Sequence, residues 1–165
     1  MKSDDKNYGT AYKEARYFNR RGVYYFKRGA FKKACAHFTK GLEILPDWSM
    51  LYSNRGYAYL KEGKFEKAIM DFSRAIDLEP DEADYYTNRG VAYNLLEKYE
   101  EAIKDFTKAI ELNPNFAVAM ANLGLTYAQK GDKERARYWC EQALKRKKKL
   151  PLELALLVKI YMNDL

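Results

Sequence analysis

Three asparagines, Asn54, Asn88 and Asn122, recur at intervals of 34 residues. A carboxamide carries both donors and an acceptor, so a ladder of them can bond an extended backbone without demanding a side-chain sequence. Bonds to neighbouring helices are the competing use of the same groups. Catalytic chemistry has less to work with. His37 is the single histidine, and the same interval places it in a column with Asp71 and Asp105. A column of that kind reads as solvent-facing. Cys-x-x-Cys, His-Glu-x-x-His, a glycine-rich phosphate loop and a Gly-x-Ser-x-Gly elbow are all absent. The carboxylates fall at helix starts or at i,i+4 from lysine, as in Glu100, Lys104 and Lys108, the pattern of a solvated helix face. These residues argue against an enzyme and offer no cofactor or metal a set of ligands.

Recognition of an anionic polymer is the rival chemistry. Arg16, Arg20, Arg21, Lys27, Arg28, Lys32 and Lys33 form one cationic cluster, interleaved with Tyr17, Tyr24 and Tyr25, and KRKKK at 145–149 forms another. Tyrosines among cations can stack on bases. The charge distribution opposes this reading. Residues 1–46 hold eleven Lys/Arg against four Asp/Glu, residues 47–114 nine against fourteen, and residues 115–165 ten against five. A phosphate backbone lying along the chain would meet an acidic middle, and a net charge of +7 also serves solubility. Nucleic acid is therefore disfavoured as a partner.

The elements that carry these groups are set by a repeat. The 34-residue interval aligns Pro46, Pro80 and Pro114; Phe38, Phe72 and Phe106; and Ala34, Ala68, Ala102 and Ala136. A period of this size marks stacked helical units. Gly22, Gly56, Gly90 and Gly124 form a fourth column, each followed three residues later by Tyr25, Tyr59, Tyr93 or Tyr127. Glycine inside a helix costs about 1 kcal/mol relative to alanine, so four in register imply close approach. The alanine column is the expected partner, with helices crossing nearly backbone to backbone. Gly29, Gly63 and Gly131 are expected to end first helices in the left-handed conformation, and Glu97 holds that place in the third repeat. Asp47, Asp81 and Asn115 are expected N-caps for the helices after the prolines, and Thr10 for the first helix.

The sequence of aromatic, Gly and Tyr on one helix, Ala, aromatic and Ala on the next, and Pro at the exit resembles the tetratricopeptide repeat over Ala15 to Lys148. The resemblance implies an all-α fold, a right-handed alpha-alpha superhelix (solenoid) of four helix pairs with a C-terminal capping helix. Residues 1–14 would be a partly frayed extension. The repeats would span 15–48, 49–82, 83–116 and 117–150 by period, and residues 149–165 would form the cap. It further implies a protein-interaction role, with a partner peptide or helix held in a concave groove. Column by column, the groove residues are Arg16, Asn19, Arg20, Phe26, Asn54, Tyr57, Lys61, Asn88, Asn94 and Asn122. One version of the family clamps a C-terminal carboxylate with two lysines, an arginine and two asparagines. The matching columns here hold Asn19, Val23, Asn54, Asp84 and Asn88. Only Asn54 agrees, and Asp84 brings negative charge where positive is needed.

The cap carries a second apolar stripe, Leu152, Leu156 and Ile160, beside the docking residues Leu154, Leu157, Val158 and Tyr161. A helix apolar all round is normally buried on both sides. The extra residues either pack back over the preceding helix or form a self-association surface for a homo-oligomer. Trp139 shares the column of His37, Asp71 and Asp105, so it and Tyr138 are expected on the outer surface. Cys35 and Cys140 lie too far apart along such a repeat to pair, and two free buried thiols suit a reducing compartment. With no apolar run of membrane-spanning length and no signal-like N-terminus, the expected location is cytoplasmic.

Overall fold

The computed structural model describes residues 2–146 and 150–163, with side chains from Gly9 onward. Among these residues the chain forms nine helices and no strand. They are α1 (Lys2–Lys27), α2 (Phe31–Ile44), α3 (Ser49–Lys61), α4 (Phe65–Leu78), α5 (Ala83–Leu95), α6 (Tyr99–Leu112), α7 (Ala117–Gln129), α8 (Lys133–Lys145) and α9 (Leu152–Asn163). The first four make one compact unit, ending at Pro80, and the last five make a second, beginning at Asp81. In each unit consecutive helices pack as hairpins.

Local chemistry explains most helix boundaries. Leu45, Glu79 and Asn113 precede the exit prolines and leave helical geometry, at φ/ψ of −131°/81°, −137°/84° and −134°/90°. The proline ring disfavours the α region for the residue before it. Gly29, Gly63 and Gly131 have φ of +72°, +73° and +83°, and Glu97 takes φ +58° in the same place. A side chain in that region costs about 1–2 kcal/mol. Glu97→Gly should therefore stabilise the chain by about 1 kcal/mol, raising the melting temperature by about 2–4 °C. Thermal denaturation followed by circular dichroism checks this.

Two local expectations are corrected. Helix α1 does not start at Thr10 but runs from Lys2, so residues 2–14 belong to the first helix. No proline interrupts the chain before Pro46. Nor do Asp47, Asp81 and Asn115 cap. The N-cap positions are Trp48, Glu82 and Phe116, one residue later, and none makes a side-chain cap bond. Asp132 does cap, accepting a bond from the Arg135 backbone N–H at 3.0 Å.

The core of the first unit gathers Ala34, Cys35, Phe38, Leu42, Leu51 and Ala58. In the second, Ala102, Phe106, Leu123, Tyr127 and Ala136 form one cluster, and Met120, Ala121, Cys140, Ala143 and Val158 another. All four column glycines are buried, and in the first three repeats the group nearest each is the phenylalanine ring one turn beyond the alanine rather than the alanine itself. A Cβ on Gly22, Gly56 or Gly90 would lie 2.4, 3.0 or 2.7 Å from Cε1 of Phe38, Phe72 or Phe106. The glycine is a slot for a phenylalanine ring edge. Only in the fourth repeat, where Cys140 replaces the phenylalanine, is the approach to backbone: a Cβ on Gly124 would stand 2.9 Å from Cys140 N and 3.1 Å from Ala136 O.

Both cysteines are free and buried. Burial, then a bond to Glu62 at 3.4 Å, pushes the Cys35 thiol up to about 12 from an ordinary 9.0, and burial pushes Cys140 up to about 11. The folded thiols hold their protons more tightly than the unfolded ones. Their contribution to stability is thus complete below about pH 9 and is lost as pH rises through the folded values. A Cys35→Ala/Cys140→Ala chain should lose less stability between pH 9 and pH 11 than the wild type, by about 1 kcal/mol per pH unit for each thiol. Urea denaturation across that range measures it.

Candidate functional site

On the first unit, the predicted groove residues lie along α1 and α3. Asn54 Nδ2 donates to Asn19 Oδ1 at 2.9 Å, linking the two helices. Asn19 Nδ2 approaches the Met50 sulfur at 3.9 Å. Two turns further along α1 and one turn along α3, the Phe26 and Tyr57 rings stack at 5.3 Å, and the Lys61 ammonium lies 5.4 Å from the Tyr57 ring. Arg16 and Arg20 are exposed on α1. This face is aromatic and cationic, with its first two amides already engaged.

The second unit offers a true concavity. A cleft of about 580 Å³ is lined by Val91, Asn94 and Leu95 from α5, and by Asn122, Leu125 and Gln129 from α7. Leu154, Leu157, Ile160 and Tyr161 of α9 supply a further wall. Val158 takes the place of a column glycine and is fully buried against Met120, Ala121, Cys140 and Ala143. That contact fixes the rotation of α9 and turns Leu157 and Ile160 to the cleft. The lining is mostly apolar, with amides among it. Asn122 Nδ2 donates to the Val118 carbonyl of its own helix at 3.0 Å, and Asn94 Oδ1 is buried without a protein partner. Asn88 is half-buried on α5 and lies outside the cleft lining. The sequence named the amides, whereas the wall formed by α9 had no signal beyond the unexplained leucines.

Those leucines stay on the surface. Leu152 is 72% exposed, Leu156 50%, Leu157 51% and Ile160 57%. Packing back over the preceding helix is thereby excluded. Ile160 and Leu157 line the cleft, while Leu152 and Leu156 do not. The cationic run at 145–149 falls in part on Lys147, Lys148 and Lys149, which lie outside the described residues.

The column read as solvent-facing is corrected. Asp71 and Asp105 are buried, at 6% and 3% exposure. Each takes a two-pronged bond from the arginine sixteen residues before it. Arg55 Nε and Nη2 reach Asp71 at 2.8 Å each, and Arg89 Nε and Nη2 reach Asp105 at 2.8 Å each. The bonds to Asp71 and Asp105 raise the Arg55 and Arg89 guanidiniums further above their usual range, against the opposing pull of burial. Trp139, in the same column, is likewise partly buried in the core of the second unit, while Tyr138 is exposed as expected. The overlooked signal was the Arg-Gly doublet at 21–22, 55–56 and 89–90. It places an arginine beside every glycine slot but the last.

Among the described residues no group of His, Cys, Asp and Glu could hold a metal ion, and no helix is long and apolar enough to cross a membrane.

Models of the tetratricopeptide repeat match residues 15–48, 83–116 and 106–138, and a further TPR repeat model matches 56–97. No curated protein matches the sequence. Among solved structures, MamA is 26% identical with a TM-score of 0.76, over 82% of this chain and 79% of that one. The first TPR of Spaghetti (RPAP3), bound to the HSP90 peptide SRMEEVD, is 33% identical with a TM-score of 0.70, over 72% of this chain and 94% of that one. The second TPR domain of human RPAP3, in complex with the HSP70 peptide SGPTIEEVD, is 31% identical with a TM-score of 0.68, over 70% and 97%.

Proposed function

Because this chain belongs to the tetratricopeptide repeat family, we propose that it is a non-catalytic protein-interaction module that holds an apolar segment of a partner protein in the cleft of its second unit. The cleft between α5, α7 and α9 carries this reading. Its volume of about 580 Å³ accommodates several hydrophobic side chains, and burial of each contributes about 1.5–3 kcal/mol before the costs of association. Asn94, Asn122 and Gln129 supply polar groups that orient the segment's backbone. The peptides bound to the RPAP3 domains end in Glu-Glu-Val-Asp, an acidic tail. Such a tail does not suit this cleft, whose lining includes no lysine or arginine. The chemistry favours leucine, isoleucine or phenylalanine anchors spaced along a helix or an extended strand. The aromatic and cationic face of the first unit, with Arg16, Arg20, Tyr57 and Lys61, suits an acidic segment by itself.

Affinity capture with the wild type and with an Arg20→Ala/Asn54→Ala/Asn88→Ala variant tests whether the amide columns contribute. Loss of a partner supports that contribution, and retention of every partner removes it.

A second reading rests on Leu152 and Leu156, which are exposed and outside the cleft lining. They are a surface on which two copies of the chain can associate through α9. Sedimentation of the wild type beside Leu152→Lys/Leu156→Lys distinguishes the readings. A dimer lost in the variant supports self-association, and a wild type that stays monomeric at high concentration removes it. A cytoplasmic location accords with two buried free thiols.

A further inference from the structure

The arginine–aspartate pairs of the second and third repeats make the first repeat conspicuous. Arg21 occupies the place of Arg55 and Arg89, but His37 stands where Asp71 and Asp105 supply carboxylates. In the later repeats the arginine Nε donates to the aspartate at 2.8 Å. Here Arg21 Nε is buried with no protein partner, and so is His37 Nδ1. Arg21 Nη2 turns instead to the Tyr25 hydroxyl at 3.2 Å. Two buried polar atoms left unbonded are costly, and both belong to the position where an anion sits in the sister repeats.

The surroundings are built for negative charge. A cleft of about 150 Å³ is lined by Tyr25, Lys33, Ala36, His37 and Lys40. Lys33 and Lys40 flank His37 one turn before and one after on α2, so all three share a helix face. The Lys33 ammonium lies 5.7 Å from the Tyr25 ring and that of Lys40 5.8 Å from the Phe18 ring. The His37 ring stacks on Tyr25 at 5.0 Å. Among the described residues, none of Arg21, Lys33 and Lys40 has a carboxylate partner. Burial, then the charges of Arg21 and Lys40, holds His37 below its usual range, so the ring is poised to gain a proton when an anion arrives.

We propose that this cleft is a binding site for a phosphate-sized dianion, free or as a monoester, held by His37, Lys33 and Lys40, with the charge of Arg21 close behind His37. Three permanent cations without a carboxylate match two negative charges better than one. A water molecule's share of liquid volume is about 30 Å³, so the cleft has room for the five heavy atoms of phosphate. The two lysines line the cleft and supply charge, while Arg21, outside the lining, adds a third cation beside His37. The site lies wholly in the first unit and is independent of the apolar cleft in the second.

The single histidine makes the test direct, because one imidazole resonance reports the site. The full chain is titrated with inorganic phosphate at constant ionic strength, followed by proton NMR of His37 and by phosphorus NMR. The expected result is a saturable shift and a His37 pKa raised by about one unit. Arg21→Met weakens binding by about tenfold or more, and the exposed-rim changes Lys33→Met and Lys40→Met weaken it without touching the core. His37→Asp restores the internal pair of the later repeats, so it abolishes phosphate binding while the helical circular dichroism is kept. A His37 resonance indifferent to phosphate overturns the proposal. So does equal binding by the His37→Asp chain. Binding to phosphatidic acid vesicles with inorganic phosphate inert also overturns it, in favour of diffuse attraction to a charged surface.

Discussion

Arg55→Met lowers the stability of the chain by about 3–5 kcal/mol, because it strands a carboxylate already out of water. The Asp71 side chain is 9% exposed and depends on two bonds of 2.8 Å from the guanidinium. Burial pushes the Asp71 carboxyl up, and the bonds from Arg55 pull it down. Removing the arginine leaves burial alone, so the folded variant holds Asp71 protonated to a higher pH than the unfolded chain does. A folded value above the unfolded one contributes stability that is present at low pH and lost as pH rises through it. The gap between wild type and variant is accordingly larger at neutral pH than in acid. Arg55→Met/Asp71→Leu recovers most of the loss, since two apolar groups need no partner. Urea denaturation of the three proteins at both pH values measures the set. A single variant within about 0.5 kcal/mol of wild type would show the pair to be a surface ornament.

Phe106→Ala costs about 3–5 kcal/mol, and its interaction with Gly90 reverses sign. In the wild type, a methyl on Gly90 would stand 2.7 Å from Phe106 Cε1, so Gly90→Ala overpacks the slot and destabilises by about 1–3 kcal/mol. Once the ring is gone, the same methyl enters open space and gains the helix propensity of alanine, about 1 kcal/mol. The double variant is thus more stable than Phe106→Ala alone. A double-mutant cycle by chemical denaturation reads the coupling directly. If Gly90→Ala had the same effect in both backgrounds, the glycine would not be a ring slot.

The parts of the fold that were legible in sequence are those fixed by short-range rules. Exit prolines bend the residue before them whatever the tertiary context, so Leu45, Glu79 and Asn113 mark helix ends in the linear chain. Glycines at helix ends announce left-handed geometry, and even Glu97 obeys its column. What sits opposite a buried position is a different kind of question. Periodicity showed Gly90 to be buried but could not choose between Ala102 and Phe106 as the neighbour. Charge alone led Asp71 and Asp105 to be read as solvated, because their partners lie sixteen residues away on another helix. The candidate site divides the same way. Its amides followed from a column, but the wall supplied by Leu157 and Ile160 depends on how Val158 seats α9.

The most direct test of the interaction reading compares two neighbours on α9. Leu157 lines the apolar cleft and Leu156 does not, yet both are about half exposed, so neither change to arginine disturbs the core. Affinity capture followed by quantitative binding of the captured partner segment should show Leu157→Arg losing the segment while Leu156→Arg retains wild-type affinity. Undiminished binding by Leu157→Arg would place the partner elsewhere and contradict the assignment of the cleft.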